Sequence, residues 1–135
     1  MDKIESKVGK ISKSDVQVYQ FLSDFNNFKS LIPEDKIKNW IATSDSCQFT
    51  VDGIGDAALK IIEKTPNSLI KITSEGKTPV SFHLWIQLKN INENQTAIRV
   101  VIEPHVNKMM MLMLKEPLQG FIDMLIDQAE KLNLS

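Results

Sequence analysis

Polar and apolar positions alternate from residue 2 to residue 11, with Ile4, Ser6 and Val8 on one side and Lys3, Glu5 and Lys7 on the other. That period of two predicts a half-exposed strand. The rhythm then changes. Ser12-Lys13-Ser14-Asp15 offers a helix N-cap, and Val16, Tyr19, Phe21 and Leu22 follow at helical spacing, which predicts a short helix over 15–22. Ser23 or Asp24 can cap a second short helix whose apolar face holds Phe25, Phe28, Leu31 and Ile32. Pro33 forbids its continuation, because proline lacks the N–H and its ring clashes with the preceding turn.

Beyond residue 36 the pattern becomes a series of short segments in which β-branched and aromatic residues alternate with polar ones. Strand cores are predicted at 39–44, 47–51, 57–64, 69–75, 80–89 and 96–103. The connectors at 52–56, 65–68, 76–79 and 92–95 are too short for a crossover helix, so neighbouring strands must pair as an antiparallel meander. Residues 107–134 then read as one long helix with an apolar stripe through Met110, Met113, Leu114, Pro117, Leu118, Phe121, Leu125, Ala129 and Leu132. Pro117 is predicted to bend this helix about one turn upstream of the proline. No internal repeat or linker interrupts the pattern, so one domain over 1–135 is expected.

Composition narrows the class. A chain of 135 residues with 42% apolar and 24% charged side chains has the balance of an ordinary globular protein. It can bury roughly two-thirds of its unfolded surface in one core. The formal net charge is −1, and no run of Lys or Arg stands apart from acidic residues, so nucleic acid is not an expected partner. Cys47 is the only cysteine, which excludes an internal disulfide and a thiolate metal cluster and fits a reducing compartment. The densest apolar run, 109–114, is far shorter than the ~20 residues of a membrane span, and the N-terminus lacks the apolar core of a secretory signal. No membrane insertion and a cytoplasmic location are expected.

This order of elements, strand, two short helices, meander and long final helix, resembles the Bet v 1-like superfamily. Its helix-grip fold is shared by START lipid-transfer domains, polyketide cyclases and plant pathogenesis-related proteins. The resemblance is carried by Phe21-Leu22-Ser23-Asp24-Phe25-Asn26-Asn27-Phe28, by Leu31-Ile32-Pro33-Glu34 behind it, and by the amphipathic final helix. It implies an α+β fold in which a strongly curved antiparallel sheet wraps the C-terminal helix and encloses a cavity. Loops near the second short helix would then rim the opening. No short catalytic motif accompanies the resemblance, and the fold hosts both binders and enzymes.

Candidate positions follow from alternation. In Val80-Ser81-Phe82-His83-Leu84-Trp85-Ile86-Gln87-Leu88, one face carries Val80, Phe82, Leu84, Ile86 and Leu88 and the other Ser81, His83, Trp85 and Gln87. The apolar face, with Phe49, Leu59, Ile61, Met110 and Met113, is expected to line the space between sheet and helix. Phe28 and Pro117 join this set. The Met109-Met110-Met111 run suits an adaptable wall. These side chains equally suit a filled core. Gly53-Ile54-Gly55 lies between two strands and reads as a hairpin turn rather than a phosphate loop. On the resemblance, Ile54 would gate the cavity rim, and Trp40 would lie at that same rim or belong to the core. Trp85, on the opposite face, requires cover, either from long neighbouring side chains or from a second copy in a symmetric dimer.

Catalytic chemistry finds little purchase. His83 and His105 are the only histidines and, with one cysteine, match no familiar metal-ligand spacing, so no metal or other cofactor is expected. Glu103 and His105 flank Pro104 and form the one candidate acid–base pair, with Glu63 and Arg99 as further suppliers. The reading favoured by the nearly all-apolar inward positions is a non-catalytic carrier or sensor of a small hydrophobic or lipid-like ligand. The alternatives are a cyclase- or dehydratase-like enzyme acting on a polyketide-like or aromatic substrate, and a protein-interaction module without ligand.

Overall fold

A computed structural model of the chain describes residues 3–32, 34–52, 55–76 and 80–132. Strands β1 (Ile4–Glu5) and β2 (Gly9–Ile11) lead into helix α1 (Asp15–Leu22) and a 3-10 helix (Phe25–Leu31). Six strands follow: β3 (Ile37–Ala42), β4 (Ser46–Val51), β5 (Gly55–Thr65), β6 (Leu69–Ser74), β7 (Phe82–Asn92) and β8 (Gln95–Pro104). Helix α2 (Lys108–Glu130) closes the order. All strands pair antiparallel in the order β1-β8-β7-β6-β5-β4-β3, with β2 also on β8. The first strand thus crosses to the end of the meander. The expected α+β helix-grip architecture is present.

Local chemistry explains the short helices. Ser14 caps α1 by accepting from the Gln17 N–H, and Gln17 reaches back to the Ser14 N–H, a reciprocal capping box. Asp24 accepts from the Asn26 N–H at the start of the second helix, which is 3-10 rather than the α-helix its apolar spacing suggested. The tighter winding keeps Phe25 and Leu31 buried and sets Phe28 edge-on to Phe25, ring centroids 5.0 Å apart. Pro33, expected to stop this helix, lies outside the described residues, as do Asn133 and Leu134 at the expected end of the last helix.

The single first strand of the alternation pattern is in fact two. Ile4 faces Ile102 and Gly9 faces Ile98, so five residues on one side span four on the other. Buried Ser6 occupies the junction: its N–H donates to the Val100 carbonyl and its Oγ accepts from the Val100 N–H, both at 2.8 Å. The extra residue reverses the alternation. Val8, expected beside Ile4 and Ser6, is therefore 63% exposed, while Gly9 and Ile11 turn inward. A second irregularity between Ile61 and Glu63 puts Ile61 in the core and leaves Ile62 exposed.

Helix α2 starts at an Asn107 cap that accepts from the Met110 N–H, and it continues through Pro117. Its buried positions are Met111, Ile122, Ile126 and Ala129. It packs chiefly on β8, β2, β1 and the 3-10 helix. Along the β1–β2 edge its polar side chains take the place of a missing neighbour strand. Gln119 donates to the Glu5 carbonyl (2.8 Å), Asp123 accepts from the Lys7 N–H (2.8 Å), and Glu130 accepts from the Lys10 N–H (2.9 Å). Asp127 pairs with the Lys7 ammonium.

Gly9 permits this close approach. A Cβ there would collide with Cγ2 of Ile126, a side chain with no exposure, and would lie 3.2 Å from Glu130. Gly120, in α2, would meet nothing within 4 Å. The same substitution is expected to have opposite signs at the two sites. Gly9→Ala should cost about 1–3 kcal/mol through overpacking. Gly120→Ala should add roughly 0.5–1 kcal/mol of helix propensity. Urea unfolding of both variants checks the pair, and an unchanged or raised midpoint for Gly9→Ala would contradict the close contact.

Candidate functional site

Strands β3 to β6 curl away from the part of the sheet that α2 grips, and between them lies a cavity of about 200 Å³. Its walls come from every layer of the fold. Phe82, Leu84 and Ile86 from β7 and Ile98, Val100 and Ile102 from β8 form the floor. Trp40, Phe49, Ala57 and Leu59 form the far wall, with Trp40 stacked on Phe49 at 5.5 Å between centroids and 28° between planes. The 3-10 helix adds Phe28 and Leu31, and α2 adds Leu114, Pro117, Leu118, Phe121, Leu125 and Ala129.

Of the residues expected from the sequence to line this space, Phe28, Trp40, Phe49, Leu59, Phe82, Leu84, Ile86 and Pro117 do so. Ile61 is buried in the core but does not reach the cavity. Ile54 lies outside the described residues. Met110 and Met113 are corrections: they are 38% and 68% exposed, and Met111 is the methionine that points inward. At about 100° per residue Met113 sits roughly 160° round the helix from Met111. The extra inward ridge runs through Ile122 and Ile126, which the predicted stripe omitted. The β8 liners Ile98, Val100 and Ile102 were also missed, although the alternation of that strand carried the signal.

Asp56 is the only charged liner among the described residues. It is exposed and accepts from the Thr50 hydroxyl at 2.8 Å, so it belongs to the mouth rather than the interior. Exposed Pro117 also marks where the cavity reaches the surface. The candidate acids and bases all lie elsewhere. Pro104 lines the cavity, which turns its neighbours Glu103 and His105 to the convex face of the sheet. Arg99 faces the same way, donating to Gln87 at 2.9 Å and to Glu5 at 3.3 Å, and Glu63 is exposed.

The convex face holds two arrangements of its own. Trp85 is half-buried and covered by its own chain, with the Lys3 and Lys71 ammonium groups 4.8 Å and 5.4 Å from the ring centroid. Cation–π contact thus supplies the cover that the pattern demanded. Beside it, His83 and His105, which no sequence spacing joined, stand with Nδ1 and Nε2 2.8 Å apart. Partial burial, the neighbouring His105 and the Lys71 charge hold the His83 imidazole below its usual range, against the opposite pull of Glu103.

Cys47 is buried on β4, and burial pushes its thiol up to about 12. A thiol so desolvated is not a nucleophile at neutral pH. Iodoacetamide at pH 8 is expected to alkylate native Cys47 far more slowly than the urea-unfolded chain, since this shift leaves roughly a thousandfold less thiolate. Equal rates would contradict the burial. Because the folded value lies above the ordinary 9.0, the linked stability is intact below pH 9 and is lost as pH rises towards 12.

No protein-family model matches the chain, and no curated protein matches it significantly. Solved structures do match its fold. The protein XoxI from Bacillus cereus superposes with a TM-score of 0.75 over 97% of this chain and 94% of its own, at 14% identity. Norcoclaurine synthase from Thalictrum flavum, in complex with dopamine and hydroxybenzaldehyde, gives 0.73 over 96% and 84%, at 17% identity. A START superfamily protein from Mycobacterium smegmatis gives 0.66 over 97% and 99%, at 13% identity. The curled antiparallel sheet closed on a long C-terminal helix is therefore a helix-grip fold, shared with these solved structures.

Proposed function

We propose that the protein binds a small hydrophobic ligand in the cavity between sheet and α2 and acts as a carrier or sensor rather than an enzyme. The observation that carries this reading is the lining. Apart from Asp56 at the mouth it holds no acid or base among the described residues, so it can desolvate an apolar molecule but has no group placed to move a proton on one. Norcoclaurine synthase shows that the fold accepts aromatic molecules in at least one protein.

Size limits the ligand. An apolar cavity of roughly 150 Å³ stays dry and holds benzene, so this one suits a molecule of about ten heavy atoms, such as a bicyclic arene or a medium-length alkyl chain. Removing about 250 Å² of apolar surface from water at ~25 cal/mol per Å² yields roughly 6 kcal/mol, a dissociation constant in the tens of micromolar. Met110 and Met113 lie one helical turn before the liners Leu114 and Pro117 and extend the apolar rim outward.

Calorimetric titration with C8–C10 alcohols and bicyclic arenes tests the proposal. Wild-type protein is expected to bind one molecule per chain. Ala57→Phe, which places a ring opposite Phe49 inside the cavity, should weaken binding by roughly tenfold or more without lowering the melting temperature of the free protein. Affinity that survives this filling, or no binding across the panel, would overturn the reading.

A further inference from the structure

Both histidines of the chain meet on the convex face. His83 on β7 stands opposite Glu103 on β8 in register, so their side chains share that face. His105, one residue past β8, is held by its N–H donating to the Ser81 carbonyl at 2.8 Å. This sets its ring perpendicular to that of His83, with centroids 4.8 Å apart. A ligand atom from each of His83, Glu103 and His105 lies within 4.8 Å of the other two, and all three residues are half-buried.

Two imidazole nitrogens 2.8 Å apart are joined by one proton, donated by one ring and accepted by the other. A divalent ion can replace that proton. Nitrogens bound to zinc at about 2.0–2.1 Å stand about 3.3 Å apart at the tetrahedral angle, so opening the pair by about half an ångström turns the hydrogen bond into a chelate. Glu103 then offers an oxygen as third ligand, and water fills the fourth position.

The geometry points to His83, Glu103 and His105 as a binding site for a divalent transition ion of the zinc class. Two imidazoles and one carboxylate favour such ions over magnesium or calcium, which prefer all-oxygen shells. The site is separate from the cavity: Leu84 and Pro104, the chain neighbours of the three ligands, point through the sheet to the other side. A bound ion would clasp the start of β7 to the end of β8, just ahead of α2, and stabilise the folded chain by mass action. Lys71, whose charge acts on His83, opposes a cation and sets the expected affinity in the micromolar range.

The test is calorimetric titration of the full chain, free of any polyhistidine tag, with zinc chloride. Copper(II) quenching of tryptophan emission in a Trp40→Phe background gives a second readout, because the remaining Trp85 lies 5.9 Å from His83 between ring centroids. One zinc per chain is expected, with affinity reduced roughly tenfold or more in His83→Gln and in His105→Gln and by less in Glu103→Gln. Copper quenching should fade in the same order. His105 lies beyond the last strand, so His105→Gln alone decides the matter should His83→Gln fail to fold. No binding at about 1 mM zinc, or binding indifferent to both histidines, would overturn the proposal.

Discussion

The seam between α2 and the β1–β2 edge is the constraint on which the remaining structure depends. Backbone groups at a sheet edge need partners, and here Gln119, Asp123 and Glu130 provide them from one side of a helix. Gly9 lets that side approach to van der Waals contact. Once the helix is fixed there, its inward ridge packs on β8, and the opposite half of the curved sheet is left standing off from it. The cavity is the space that this one-sided attachment leaves, closed from the far end by the 3-10 helix. Each contact along the seam is individually modest. Together they decide how far the helix stands from the floor of the sheet, and hence whether a pocket or a filled core results.

Strand alternation then separates two chemistries. On β7 and β8 every second side chain turns inward, and those that line the cavity are Phe82, Leu84, Ile86, Ile98, Val100, Ile102 and Pro104. The intervening positions collect the polar and titratable groups of the region on the outside: His83, Trp85, Gln87, Arg99 and Glu103. The interior is left apolar, and the exterior carries the hydrogen bonds, cation–π contacts and the paired histidines. Norcoclaurine synthase and the START protein share the backbone scaffold at 13–17% identity, which ties the chain to a fold and leaves its chemistry to its own side chains.

Much of this was legible in the sequence, for identifiable reasons. Period-two alternation and short turn-rich connectors located every strand of the meander, and the capping signals at 12–15 and 23–24 marked the starts of the two short helices, where Ser14 and Asp24 act as caps. The errors came where one residue changes the phase. A single extra residue near Ser6 sent Val8 outward, and the apolar run 109–114 allowed more than one helical face to look buried. Met110 and Met113 were assigned to the wrong one. The meeting of His83 and His105 had no local signal, because it depends on the β7–β8 register and on the hydrogen bond from His105 to Ser81 beyond the end of the strand.

The central claim is that sheet and helix enclose apolar space ready for a guest. Crystals pressurised with xenon measure this directly, since xenon enters dry apolar cavities and scatters strongly. The account predicts xenon density bounded by Leu84, Val100, Leu118 and Phe121. Side chains collapsed into that volume with no xenon between them, or a chain of ordered water, would contradict it.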